Sequence, residues 1–133
     1  MGLKYLLDTD ICVHLIRGRT PHLQAHFEKL EHGDLGLSAI TVAELRFGAD
    51  NSSDPERHHV QLSKFLCAFE IVDFDSNAAG HYGQIRSALQ RKGIVIGSLD
   101  MLIAAHARAS RVTLVTHNIR EFKRVPGLMV ETW

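Results

Sequence analysis

Short apolar runs alternate with helix-period stretches along the whole chain, and this alternation restricts the fold more than any other feature. Lys4-Tyr5-Leu6-Leu7, Leu35 to Ala39, Ile71 to Phe74 and Val112 to Val115 are the right length for strands and too short for helices. The first, ending at Asp8, reads as a strand covered on both faces. Strand and helix in turn predict an α/β domain, because parallel strands need long crossovers and helices are the usual crossovers.

Punctuation residues place the helices. Gly18 stops a short helix through Ile11 to Ile16, and Thr20-Pro21 opens the next with a cap and a proline at its first position. Leu23, Phe27 and Leu30 mark the face of that helix, which ends at Gly33. A helix from Thr41 carries Val42, Leu45 and Ala49, and Asp54-Pro55 opens another bearing Leu62, Phe65, Leu66 and Phe69. Asp75 or Ser76 caps a helix with Ala78, Tyr82, Ile85 and Leu89, closed by Gly93. Ile94-Val95-Ile96 fits either a strand or a buried loop. Ser98 caps a helix through Leu102, Ile103 and Ala107, and Leu128 to Val130 reads as an edge strand.

No repeat, low-complexity stretch or linker divides the 133 residues, so one domain spanning 1–133 is expected. No apolar run approaches the ~18–20 residues of a membrane span, and acids arrive too early for a signal peptide. Cys12 and Cys67 lie in apolar runs and read as buried; two cysteines make no disulfide framework, which points to a reduced, cytoplasmic setting. Fifteen bases balance fifteen acids, which excludes a histone-like basic sheath. The balance hides an asymmetry. Residues 1–75 carry twelve acids and seven bases, net −5, and residues 76–133 carry three acids and eight bases, net +5.

Ligands of an open parallel sheet bind beyond the C-terminal ends of its strands, and that is where the notable acids fall. Asp8 closes the first strand, Glu44 lies one turn into the helix after the second, and Glu121 follows the fourth. Asp100 stands at the start of a helix. Singly, each has a plain structural role: an Asx-turn for Asp8, a helix-terminus charge for Asp100, solvated helix positions for Glu44 and Glu121. Together in one crevice they would repel one another unless a cation sat among them. Mg²⁺, with Mn²⁺ as substitute, is the natural occupant, since it takes oxygen ligands, keeps water and shares phosphate oxygens.

Other signals are weaker. His22 and His26 have a zinc-compatible spacing with no third ligand nearby, and His58-His59 reads as a solvated helix turn. No Gly-rich phosphate loop, GxSxG elbow or HExxH is present. Asp8-Thr9-Asp10 at a strand end also fits a phosphoaspartate phosphatase, but the required downstream lysine and acidic pair are absent from the stretch around Asp100.

Four ordered segments carry a family resemblance: Leu6 to Ile11 (LLDTDI), Thr41 to Ala49 (TVAELRFGA), Gly97 to Ala107 (GSLDMLIAAHA) and Leu114 to Phe122 (LVTHNIREF). With Gly83-Gln84-Ile85-Arg86 and the closing Val125-Pro126-Gly127-Leu128, the chain resembles PIN-domain ribonucleases from end to end, and among them the VapC toxins of type II toxin–antitoxin pairs. The resemblance implies a PIN-like, three-layer α/β/α domain with a central, mostly parallel sheet and a Mg²⁺- or Mn²⁺-dependent endoribonuclease activity. Asp8, Glu44 and Asp100 match the family's core acids and Glu121 its fourth. Thr9 and Thr116 match hydroxyl residues that steady the carboxylates, and Asn118 a polar residue beside the site; His117 stands where many relatives carry Asn.

The resemblance further implies a homodimer and a VapB-like antitoxin that blocks the acidic pocket and alone contacts operator DNA. It also implies an RNA substrate, with initiator tRNA cut in the anticodon stem-loop by the members most like this chain. Water attack would leave a 5′-phosphate and a 3′-hydroxyl. Arg86, Arg120 and Lys123 adjoin the acid motifs and are the leading RNA-phosphate contacts among eight basic candidates that also include Arg108. A non-catalytic PIN-like module that binds RNA or protein is the alternative.

Overall fold

A computed structural model describes residues 2–133, Met1 lying outside the described residues. Strands β1 (Tyr5–Leu7), β2 (Leu35–Ser38), β3 (Glu70–Val72), β4 (Thr113–Val115) and β5 (Val130–Glu131) form one sheet in the order β3-β2-β1-β4-β5. Every pairing is parallel, with Leu6 opposite both Gly36 and Leu114, and Leu7 opposite Val115. The crossovers are helical: α1 (Thr9–Arg17), α2 (Pro21–Glu28), α3 (Ala39–Asp50), α4 (Pro55–Leu66), α5 (Ser76–Arg91), α6 (Ser98–Ser110) and the short α7 (Ile119–Phe122). The chain winds outward from β1 to β3, then returns to place β4 on the other side of β1. That reversal opens a crevice at the C-terminal ends of β1 and β4.

The strand period of two sorts the core into two layers. Leu6 and Leu114 join Ile85 and Leu89 of α5, Ile103, Ala104 and Ala107 of α6, and Phe122 of α7. Leu7, Val115, Leu35 and Leu37 turn the other way, onto Ile11 and Cys12 of α1, Leu23 of α2, Leu45 and Ala49 of α3, and Leu62 of α4. Helices therefore cover both faces of the sheet, as the alternation of strand and helix predicts. At Gly36 a Cβ would sit 2.6 Å from Leu3 Cδ1 and 3.1 Å from the Glu70 carbonyl, so a side chain at this strand position would require Leu3 to move and would crowd β3.

Several boundaries shift for identifiable reasons. Asp8 and Ser38 cap α1 and α3 with their own side chains, so both helices begin at the residue directly after their strands' last polar group. Gly97, not Ser98, is the N-cap of α6, and Asp75 rather than Ser76 caps α5. Helix α4 ends at Leu66, leaving Phe69 to pack from beyond it against Phe27 and Phe65. Ile94 to Ile96 is a loop: Ile96 is buried while Val95 is 85% exposed. The edge strand falls at Val130–Glu131, beyond the predicted Leu128 to Val130.

Three side-chain expectations also change. Cys67 is exposed, with only Cys12 buried. His59 is tied to Asp50 at 2.7 Å and to Arg46 at 3.0 Å, which braces α4 against α3 instead of facing solvent. His26 stacks on Trp133, its ring 4.2 Å away, and is no part of a metal pair with His22. One buried polar contact bears on the site: Ser38 Oγ accepts the Ile40 N–H at 3.1 Å and pairs with His106 Nδ1 at 2.7 Å. Burial holds the His106 imidazole below its usual pKa, so a neutral ring supports the start of α3.

Candidate active site

Asp8 sits where β1 ends and α1 begins, and its carboxylate is held on both oxygens. Oδ1 accepts the Thr9 backbone N–H at 2.8 Å, and Oδ2 accepts the Thr116 hydroxyl at 2.7 Å. Thr116 follows β4, so this bond crosses the switch point of the sheet and joins residues 108 apart in sequence. The same hydroxyl oxygen accepts the Asn118 N–H at 2.9 Å. Asp8 is only 5% exposed, and burial pushes its pKa from 3.8 to about 7. The Thr116 and Thr9 bonds pull it down, while the charges of Asp10 and Asp100 push it further up.

The other three acids come from three different helices. Glu44, in the second turn of α3, accepts the Thr9 hydroxyl at 2.8 Å through Oε1. Asp100, in the first turn of α6, has its pKa raised by burial and then by the charges of Glu44, Glu121 and Asp10. Glu121, on α7, accepts from Asn118 Nδ2 at 3.0 Å and meets Arg124 at 3.6 Å. Asp100 lies within electrostatic reach of Asp8, Glu44 and Glu121, so the four acids are neighbours near the C-terminal ends of β1 and β4. Thr9, Thr116 and Asn118 orient three of them, Asp8, Glu44 and Glu121, with Thr9 giving its hydroxyl to Glu44 and its backbone N–H to Asp8.

The sequence reading passed over Asp10. It lies in the first turn of α1, its Oδ2 accepts the His117 N–H at 3.3 Å, and its Oδ1 is buried with no hydrogen-bond partner. The available signal was its place two residues after Asp8, which puts it in the first turn of the helix that Asp8 caps. His117 is exposed; its Nε2–H donates to the Trp133 carbonyl at 3.2 Å and its ring lies 5.0 Å from that of His14. Only its backbone amide faces the acids.

The residues suit a hydrated divalent cation. Crowded carboxylates raised by one another's charge, with a buried unpaired carboxylate oxygen beside them, are short of positive charge. Among the described residues no three His, Cys, Asp or Glu side chains are close enough to enclose a bare ion. A hard ion that keeps several waters needs only one or two carboxylates directly and can meet others through its water. A groove of about 370 Å³ leads away from Thr9 and Glu44 between α1, α3 and α4, with Arg17, Ser52, His58 and Gln61 along it.

The basic candidates separate. Arg120 and Lys123 are exposed on either side of Glu121. Arg86 donates to the Tyr82 hydroxyl at 2.9 Å and lies over its ring, at the mouth of a hollow that also contains Ser98 and Met101. Arg108 is committed to the fold, where it bonds His81, Gln84 and the Pro126 carbonyl and leaves little for a phosphate.

A fold of this kind is shared with a known family. A family model described as PIN domain matches residues 5–128, and the chain belongs to the PIN domain family and, within it, to the VapC ribonucleases. It is 41% identical over 133 residues to Ribonuclease VapC2 of Rickettsia felis, covering 97% of each chain. It is 40% identical over 131 residues to the tRNA(fMet)-specific endonuclease VapC of Salmonella typhimurium, covering 98% of each. The crystal structure of VapBC2 from Rickettsia felis bound to a DNA fragment from their promoter superimposes with a TM-score of 0.93, at 40% identity and 98% coverage of both chains.

Proposed function

We propose that residues 1–133 act as one PIN domain, a Mg²⁺-dependent endoribonuclease toxin with Mn²⁺ as substitute, that cleaves RNA to inhibit translation and growth. The observation that carries this reading is the gathering of Asp8, Glu44, Asp100 and Glu121 at the switch point, each carboxylate raised by or raising another. Asp8 and Asp100 are assigned as the principal ligands, with Glu44 and Glu121 completing the set. The ion would lower the pKa of a bound water and neutralise charge developing on the phosphodiester. Thr116 and Thr9 hold the two oxygens of Asp8, Thr9 orients Glu44, and Asn118 orients Glu121. Arg86, Arg120 and Lys123 are assigned to RNA phosphates around that centre.

Initiator tRNA is the proposed substrate, on the strength of 40% identity to the tRNA(fMet)-specific relative across nearly the full length of both chains. A loop is where unstacked bases are open to side chains. The likeness to a VapBC2 complex on promoter DNA supports a VapB-like antitoxin as partner, with operator DNA contacted through it, and a homodimeric toxin. A cytoplasmic setting goes with that substrate; among the described residues no helix is long and apolar enough to cross a membrane.

The test is cleavage of initiator tRNA by antitoxin-free protein with Mg²⁺ or Mn²⁺. Cleavage should stop with EDTA and in Asp8→Ala, leaving a 5′-phosphate on the downstream product. Cutting that survives both treatments overturns the metal mechanism. RNA binding without product under every metal favours the non-catalytic module.

A further inference from the structure

We infer that Asp10 is a fifth carboxylate of the cation pocket and strengthens its hold on a divalent ion. The inference rests on the metal-dependent reading above and adds a residue to it. Three observations converge on Asp10. It lies in the first turn of α1, two residues from the cap Asp8, and the turn after β4 packs against it. Its Oδ2 is anchored by the His117 N–H at 3.3 Å, which fixes the side chain. Its Oδ1 is buried and has no hydrogen-bond partner among the described residues.

A buried carboxylate oxygen without a partner is a costly arrangement that native folds keep only for a reason, such as an ion or an ordered water. Anchoring the turn before α7 does not account for it, because a neutral acceptor would serve the His117 amide equally well. A negative charge placed among carboxylates raises the energy of the cation-free pocket and lowers that of the loaded one. Groups around a metal's direct ligands commonly change its affinity by about 10–100-fold.

Asp10→Asn separates the two roles, since the carboxamide oxygen still accepts from His117 while the charge is gone. Mn²⁺ binding to the full-length, antitoxin-free chain is measured by calorimetry, alongside thermal melting with and without Mn²⁺. Asp10→Asn should weaken Mn²⁺ binding about tenfold or more, raise the melting temperature of the metal-free protein and shrink the rise that Mn²⁺ produces. Asp10→Ala should lose the same affinity and also melt lower than Asp10→Asn, having lost the His117 bond.

Wild-type Mn²⁺ affinity in Asp10→Asn, whatever Asp10→Ala does, overturns the inference and leaves Asp10 as a brace for the turn. In that case the four-acid reading stands. Absence of saturable Mn²⁺ binding in the wild type overturns the metal-dependent reading itself, and this inference with it.

Discussion

Thr116 holds Asp8 from across the sheet: its hydroxyl donates to Asp8 Oδ2 at 2.7 Å while its oxygen accepts the Asn118 N–H at 2.9 Å. One side chain thus orients an acid of β1 and sets the turn that carries Asn118 and Glu121.

Thr116→Val keeps the shape and removes both bonds. The Asp8 carboxyl should move further above its ordinary pKa, because the largest influence opposing burial is gone. RNA cleavage at pH 7 should fall about 10–100-fold, and stability by about 1 kcal/mol. Single-turnover cleavage and a denaturant melt check the two parts separately.

Thr9→Val releases Glu44 while preserving the backbone N–H that caps α1 through Asp8. A drop in cleavage of about tenfold with a melting temperature close to wild type is expected. A large loss of stability with unchanged cleavage would show the Thr9–Glu44 bond to be structural.

The raised pKa of Asp8 makes stability depend on pH. The unfolded carboxyl titrates near 3.8 and the folded one near 7, so between these values the folded state holds a proton that the unfolded state has lost. This group therefore stabilises the metal-free protein below about pH 4, and the contribution fades as pH rises through about 7. His106 acts in the opposite direction: its lowered pKa means that stability is lost as pH falls below 6.5. The difference between wild-type and Asp8→Asn unfolding free energies from pH 4 to 8 isolates the first effect. A flat difference would refute it.

Ser38→Ala removes the cap of α3 and strands His106 Nδ1 in the core. The cost should be about 1–3 kcal/mol, with cleavage reduced through the displaced Glu44. Thermal melts of Ser38→Ala against Ser38→Thr, which keeps a hydroxyl, give the comparison.

Arg120→Ala with Lys123→Ala should weaken RNA binding without altering the affinity for Mn²⁺. Each lost phosphate contact lowers the slope of log affinity against log salt by about 0.7 for a single strand. An unchanged slope removes these two residues from the RNA-binding surface.

The sheet and the position of Asp8 were legible from local pattern, whereas Glu44, Asp100 and Glu121 stood out by their joint placement and their motifs' resemblance to the family. Runs such as Leu6-Leu7 mark strands, and an acid immediately after a parallel strand faces the one crevice such a sheet offers. Asp10 was not legible as a site residue. Its sequence context suits an ordinary first-turn acid beside the helix dipole, and its unpaired oxygen exists only once His117 is packed against it. Arg108 failed the other way: its charge suggested an RNA contact, whereas three tertiary partners invisible in sequence consume its donors. Helix starts were misplaced where the last strand residue or its neighbour doubled as a cap, as at Asp8 and Ser38.

The insertion of β4 beside β1 also fixes when the centre comes into being. A chain that has left the ribosome only as far as Gly97 contains Asp8 and Glu44 but none of Asp100, Thr116 or Glu121. Its first strand is still an open edge awaiting Leu114 and Val115. Asp8 acquires its Thr116 partner only after most of the polypeptide has been made. The topology therefore sets an order of assembly: the contact between Asp8 and Thr116 cannot form until β4 has been made and has docked beside β1.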